Sequence, residues 1–228
     1  MGVRPTMIAI IDYKAGNLGS IARAVNYLGF ECRITHDVKE ISGADRVIFP
    51  GVGSAGKAMH DLKRMGLDQA IYDLYESGKP FLGICLGAQI ILEESEENQT
   101  TCLGLLPGKV KRFPIPLLSE DGKNLKVPHM GWNQAKLRRA HPVFSGVAPE
   151  SEFYFVHSFY PAPVGDETII GTTDHGITFT SVLGEKNLFA VQFHPEKSGA
   201  PGLTILKNFC LWEVDDDTEN GSISSDQR

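Results

Sequence analysis

Cys85, His194 and Glu196 are the residues of this 228-residue chain whose types and spacing suit covalent chemistry. Cys85 stands at the centre of Gly83-Ile84-Cys85-Leu86-Gly87-Ala88-Gln89. The apolar run 80–84 reads as a buried strand, and residues 86–94 read as the start of a helix. Glycines two places before and after the cysteine leave room for a tight, strained elbow that pushes the thiol out at the helix N-terminus. That is the geometry of the G-x-S-x-G nucleophile elbow, with sulfur in place of oxygen. A helix N-terminus stabilises a thiolate and supplies free N–H groups for an oxyanion. Taken alone, the pattern also fits a buried structural cysteine.

The complement lies far downstream, in Val191-Gln192-Phe193-His194-Pro195-Glu196. Residues 188–193 read as a strand, and Pro195 biases His194 toward extended backbone. His194 and Glu196, two apart, then point to the same side. A cysteine nucleophile needs a base, and the base needs an acceptor on its other nitrogen. Histidine with a carboxylate at i+2 meets both needs, so Cys85, His194 and Glu196 read together as a triad.

The elements that must position these residues follow from pattern. Residues 7–12, 31–35 and 45–50 read as buried strands, alternating with helices at 17–28 and 54–77, with Asn17 as the first helix's N-cap. This βαβ order implies a parallel sheet with helices on both faces. The second half changes to short strands near 109–113, 134–137, 153–156, 168–173, 177–183 and 188–193, an antiparallel extension of the parallel core. A closing helix spans 202–213. Residues 7–214 read as one domain, preceded by a six-residue extension and followed by a polar, acidic tail at 215–228 that reads as disordered.

The elbow, the strand ending in His194-Pro195-Glu196 and an upstream Pro50-Gly51-Val52-Gly53 resemble class I (triad) glutamine amidotransferases. Further stretches narrow the resemblance: Ile11-Asp12-Tyr13-Lys14-Ala15-Gly16-Asn17, Pro128-His129-Met130-Gly131-Trp132-Asn133, Tyr154-Phe155-Val156-His157-Ser158 and Lys197-Ser198 after Glu196. They look like the branch of glutaminase subunits that serves imidazole glycerol phosphate synthesis in histidine biosynthesis. The match runs over roughly 7–214, with a departure at Ala88, where the family often has methionine. Anthranilate, guanylate and pyridoxal phosphate glutaminases differ in the two turn sequences, and a DJ-1-type protein lacks the distal His-Pro-Glu. A catalytically silent regulatory subunit remains the alternative from another class.

The resemblance implies a flavodoxin-like sheet and hydrolysis of glutamine to glutamate and ammonia without any cofactor. It assigns the oxyanion donors to the Leu86 N–H and to Val52, with Gly53 beside it. Gln89, Glu93 and Glu97 read as one helical stripe at i, i+4 and i+8. The family places Gln89 and Glu97 on glutamine, Glu97 against its ammonium. Glu93, Glu94 and Glu96 read as helix surface or local hydrogen bonding. Gly53 and the backbone of His157, Ser158 and Phe159 complete the substrate contacts. The implied partner is a (β/α)8 cyclase that receives the ammonia in a heterodimer, with Met130, Trp132, Asn133 and Lys197 at the interface.

Composition agrees. The net charge is −6, from 22 basic and 28 acidic residues, and the tail carries −4 of it. The body is near neutral with no basic stripe for nucleic acid, and no segment is apolar enough to cross a membrane. Cys32, Cys85, Cys102 and Cys210 show neither paired metal-ligand spacing nor a secreted disulfide framework, which points to a reducing cytoplasm.

Overall fold

Strict alternation along the first strands decides the architecture. In the computed structural model, which describes residues 6–214, the chain runs β1 (Met7–Ile11), α1 (Leu18–Tyr27), β2 (Glu31–Thr35), α2 (Val38–Gly43), β3 (Arg46–Gly51), α3 (Ala55–Met65), α4 (Leu67–Glu76), β4 (Phe81–Cys85) and α5 (Leu86–Ile90). The closing helix is α6 (Gly199–Leu211). Ile8, Ile10, Ile48, Leu82 and Ile84 join one core together with Ile21 and Val25 of α1 and Ile205 and Phe209 of α6. Their neighbours Ala9, Ile11, Val47, Phe49 and Phe81 join a second core with Leu62 of α3 and Ile71 and Leu74 of α4. A sheet apolar on both faces must be covered on both, and parallel strands connected through helices supply that cover.

The order β2-β1-β3-β4, followed by a parallel Leu188–Val191, is the flavodoxin-like arrangement. Thr178–Glu185, Ile169–Asp174 and Lys136–Leu137 extend the same sheet in antiparallel fashion. Both parts of the expected fold class are therefore present. A separate ribbon pairs His129–Gln134 with Glu152–His157, and a small four-stranded sheet contains Gly108–Arg112 and Phe159–Pro163.

Four local expectations change. The helix after Cys85 stops at Ile90 instead of reaching residue 94. The carbonyls of Ile90, Ile91 and Leu92 accept from Leu103, Leu105 and Gly104, so the chain doubles back rather than propagating a helix. Asn17 stands next to α1 at φ 72° and makes no side-chain cap. The expected strand at 134–137 is two, His129–Gln134 and Lys136–Leu137. Phe159–Pro163 pairs as a strand despite its two prolines, a composition that hides it in the sequence. The expected N-terminal extension, apart from Thr6, and the acidic tail lie outside the described residues.

Candidate active site

The turn from β4 into α5 forces Cys85 to φ 54° and ψ −109°, a backbone conformation that L residues rarely adopt. The flanking glycines permit it by close approach. A Cβ on Gly87 would lie 2.0 Å from the Phe49 carbonyl oxygen, and one on Gly83 would lie 3.0 Å from the Ala190 Cβ. Both elbow glycines thus make room for the strands on either side, and strain at the nucleophile is held by packing that cannot relax.

His194 approaches from the end of the neighbouring strand. Its backbone is extended, φ −102° and ψ 96°, but Pro195–Lys197 then forms a turn of 3₁₀ helix rather than continuing the strand. The expected pairing nonetheless forms: His194 Nδ1 lies 2.9 Å from Glu196 Oε1, with both side chains buried. Burial opposes a charge on His194, but the Cys85 sulfur and the Glu196 carboxylate outweigh it, and the imidazole is held well above its ordinary value. Its Nε2 makes no hydrogen bond among the described residues, and His194 lines the same cavity as Cys85.

That cavity, about 330 Å³, is large enough for one small polar molecule. Val52, Gly53, Leu86, Gln89, Glu97, His157, Ser158 and Phe159 all line it, so every oxyanion and substrate candidate read from the sequence meets in one place. The helical stripe does not exist. Glu97 starts the short 3₁₀ turn at which the chain reverses between the antiparallel pair Glu94–Ser95 and Thr100–Thr101, and its Oε2 accepts the Ala55 N–H of α3 at 2.6 Å. Glu93 instead accepts from the Gly108 N–H, Glu96 accepts from the Arg112 N–H, and Glu94 pairs with Lys109.

Hydrogen bonds behind the cavity have a defined direction. His157 Nδ1 donates to the Phe159 carbonyl at 2.8 Å, since a carbonyl only accepts. Burial holds His157 at about 3 and His129 at about 4, so both are neutral near pH 7. His157 Nε2 is therefore the acceptor for His129 Nδ1–H at 3.0 Å, and His129 Nε2 accepts from Asn133 Nδ2 at 3.2 Å. The Phe159 carbonyl also accepts from Gln89 Nε2 at 2.8 Å. Gln89 Nε2 also donates to Gln192 Oε1 at 2.9 Å, which turns the Gln192 Nε2–H toward Cys85 Sγ at 3.7 Å.

Gln192, His129 and Tyr13 belong to the surroundings of this site without being singled out by motif or spacing. Gln192 has the same strand parity as His194, a signal that was present in the sequence. Tyr13 is buried with its hydroxyl unpartnered among the described residues, and burial and the Cys85 charge push the phenol up. Of the interface candidates, Met130 and Trp132 are 63% and 54% exposed, which removes Trp132 from the core. Lys197 is exposed, whereas the Asn133 amide is engaged within the chain by His129 and the Asp174 carbonyl.

A sequence profile described as glutamine amidotransferase class-I matches residues 9–212. The chain belongs to the class I glutamine amidotransferases. It is 51% identical over 203 residues to the imidazole glycerol phosphate synthase subunit HisH of Nitratidesulfovibrio vulgaris strain Miyazaki F, covering 89% of this chain and 95% of the relative. The HisH protein of Neisseria meningitidis strain Z2491 is 47% identical, with 90% and 99% covered. Within the class, the chain falls in the HisH family. The structure of PurLQS from Thermotoga maritima shares the fold, with a TM-score of 0.66 at 18% identity and coverage of 90% and 97%.

Proposed function

We propose that the Cys85 site hydrolyses the side-chain amide of glutamine and that the ammonia passes to a (β/α)8 cyclase bound over the cavity mouth. The observation that carries this reading is the buried His194–Glu196 pair at 2.9 Å facing the same cavity as a cysteine on a left-handed elbow. The Cys85 thiolate attacks the amide carbon and forms a C–S bond. The C–N bond breaks as His194 Nε2–H protonates the departing ammonia. His194 then takes a proton from water, whose oxygen attacks the thioester, releasing glutamate and the thiolate. Glu196 orients the imidazole through Nδ1 and stabilises the imidazolium. The Leu86 N–H and the Val52–Gly53 peptide are the donors assigned to the oxyanion.

Gln89 and Glu97 are assigned to the substrate's polar end, Glu97 opposite the α-ammonium, with the 157–159 backbone at the carboxylate. Among the described residues Lys197 forms no ion pair. Together with exposed Met130 and Trp132, this supports a rim that a partner subunit covers. Release of ammonia into bulk water would protonate and dilute it, which favours a sealed passage into the partner. The test is Cys85→Ala in the complex with the cyclase. Glutamine-dependent synthesis should fall by roughly four orders of magnitude or more, while synthesis from added ammonium salt persists. Glutamine-dependent turnover by that variant would refute the nucleophile.

A further inference from the structure

An asparagine directly ahead of a helix ordinarily turns its side chain onto the first free N–H groups as a stabilising cap. Asn17 forgoes this. Its backbone sits at φ 72° and ψ 6°, with no side-chain cap, although its carbonyl accepts the Ser20 N–H. Its Nδ2 instead donates to Oε1 of Glu196, the same oxygen that receives His194 Nδ1. The second oxygen, Oε2, is buried and has no partner among the described residues. Asn17 and His194 are therefore the donors that hold this carboxylate, and Asn17 is the one that does not change its proton during turnover.

The choice of residue fits two demands at once. The left-handed backbone favours Gly, Asn or Asp, and of these only asparagine presents an N–H donor to a carboxylate. The same turn also touches the oxyanion side of the site. A Cβ on Gly16 would lie 3.2 Å from Val52 Cγ2, and one on Gly51 would lie 2.3 Å from the Tyr13 hydroxyl. We propose that Asn17 is a positioning residue that fixes the Glu196 carboxylate against His194, and that the Tyr13–Asn17 turn thereby ties the triad to the Val52 turn.

This inference rests on the triad reading above, so the experiment includes Cys85→Ala beside two Asn17 variants, all measured as glutamate release in the cyclase complex. Asn17→Gly keeps the left-handed backbone and deletes the donor. Asn17→Asp keeps the shape and sets a second carboxylate against the first. Both should lose kcat by roughly 10- to 100-fold, the weight of one hydrogen bond to a charged group, with KM for glutamine changed by less than about threefold. In Asn17→Gly the pH at which His194 titrates, followed by imidazole NMR, should move down because its counter-ion is less firmly placed, whereas in Asn17→Asp the added carboxylate should move it up. A purely architectural Asn17 would lower the melting temperature without moving that titration. Wild-type kcat and an unmoved His194 in either folded variant, with Cys85→Ala inactive, overturn the Asn17 assignment alone. Full turnover by Cys85→Ala overturns the triad itself.

Discussion

Lys197 holds its ammonium 5.8 Å above the Tyr154 ring, and Tyr154 is paired across the ribbon with Trp132. The contact parks a cation on an exposed rim, one residue beyond the triad carboxylate, with no acid of its own chain among the described residues. An exposed cation–π contact contributes only about 0.5–1 kcal/mol, so Lys197 is free to exchange the ring for a partner's carboxylate. Lys197→Ala should leave the fold intact and weaken activation by the cyclase roughly tenfold or more. A solvated lysine would change binding by less than ~0.5 kcal/mol. Titration of the variant with cyclase, read as glutaminase rate, separates the two. Unchanged affinity and unchanged maximal rate would reduce Lys197 to ordinary surface.

Gln192 gives a sharper test of the chemistry. Its amide is oriented by Gln89 so that the N–H side faces the Cys85 sulfur. Gln192→Glu keeps the size and the Gln89 contact but places a carboxylate against the sulfur. Alkylation of Cys85 by iodoacetamide at neutral pH should slow by roughly tenfold, with the melting temperature moving less than the rate. Equal alkylation rates in the two proteins would show that the 3.7 Å contact does not act on the thiolate.

The elbow leaves no tolerance at Gly87. Any Cβ there meets a backbone carbonyl at 2.0 Å rather than a movable side chain. Gly87→Ala should cost about 3 kcal/mol or more, at the upper end of overpacking, seen as a lower urea midpoint. A variant with the native midpoint would mean that β3 and α5 separate more easily than this packing implies.

Acid should destabilise the protein well before the carboxylates titrate. Burial holds His129 and His141 at about 4 and His157 at about 3, against an ordinary value near 6.5. Below pH 6.5 the unfolded chain binds protons that the folded chain refuses, so stability present at neutral pH is lost as pH falls toward 4. Each of the three histidines contributes a slope of roughly 1.4 kcal/mol per pH unit in that window. His194 runs the other way, being raised, and its contribution is still present at pH 6.5 and below. Urea titrations at pH 7.5, 6 and 5 should show this fall. A flat profile would mean that the histidines take up protons in the folded state.

Much of this site was legible in sequence because its key pieces are local. Cys85 announces itself through glycines two residues either side, and Glu196 through its spacing from His194. The sheet was legible for a similar reason, since buried parallel strands are continuous apolar runs. Glu97 and Gln89 both line the cavity, but not as one helical stripe: the helix ends at Ile90, and Glu97 reaches the cavity from the turn at Glu97–Gln99, where the chain reverses. Asn17 was misread because a residue ahead of a helix satisfies the cap rule equally well when its amide points elsewhere. The His129–His157 relay exists only once two strands distant in sequence are in register, and no spacing along one chain encodes that.

The nucleophile strand is bracketed, β3 on one side and Leu188–Val191 on the other. Four parallel strands can assemble from the first third of the chain through contacts close in sequence. The last strand, which delivers Gln192 and His194, docks only after a loop of about a hundred residues has closed, a step that slows folding. Regain of glutaminase rate after dilution from urea should therefore lag behind the return of helical circular dichroism. The interval between them measures the waiting time of a sheet that already carries its sulfur but not yet its base.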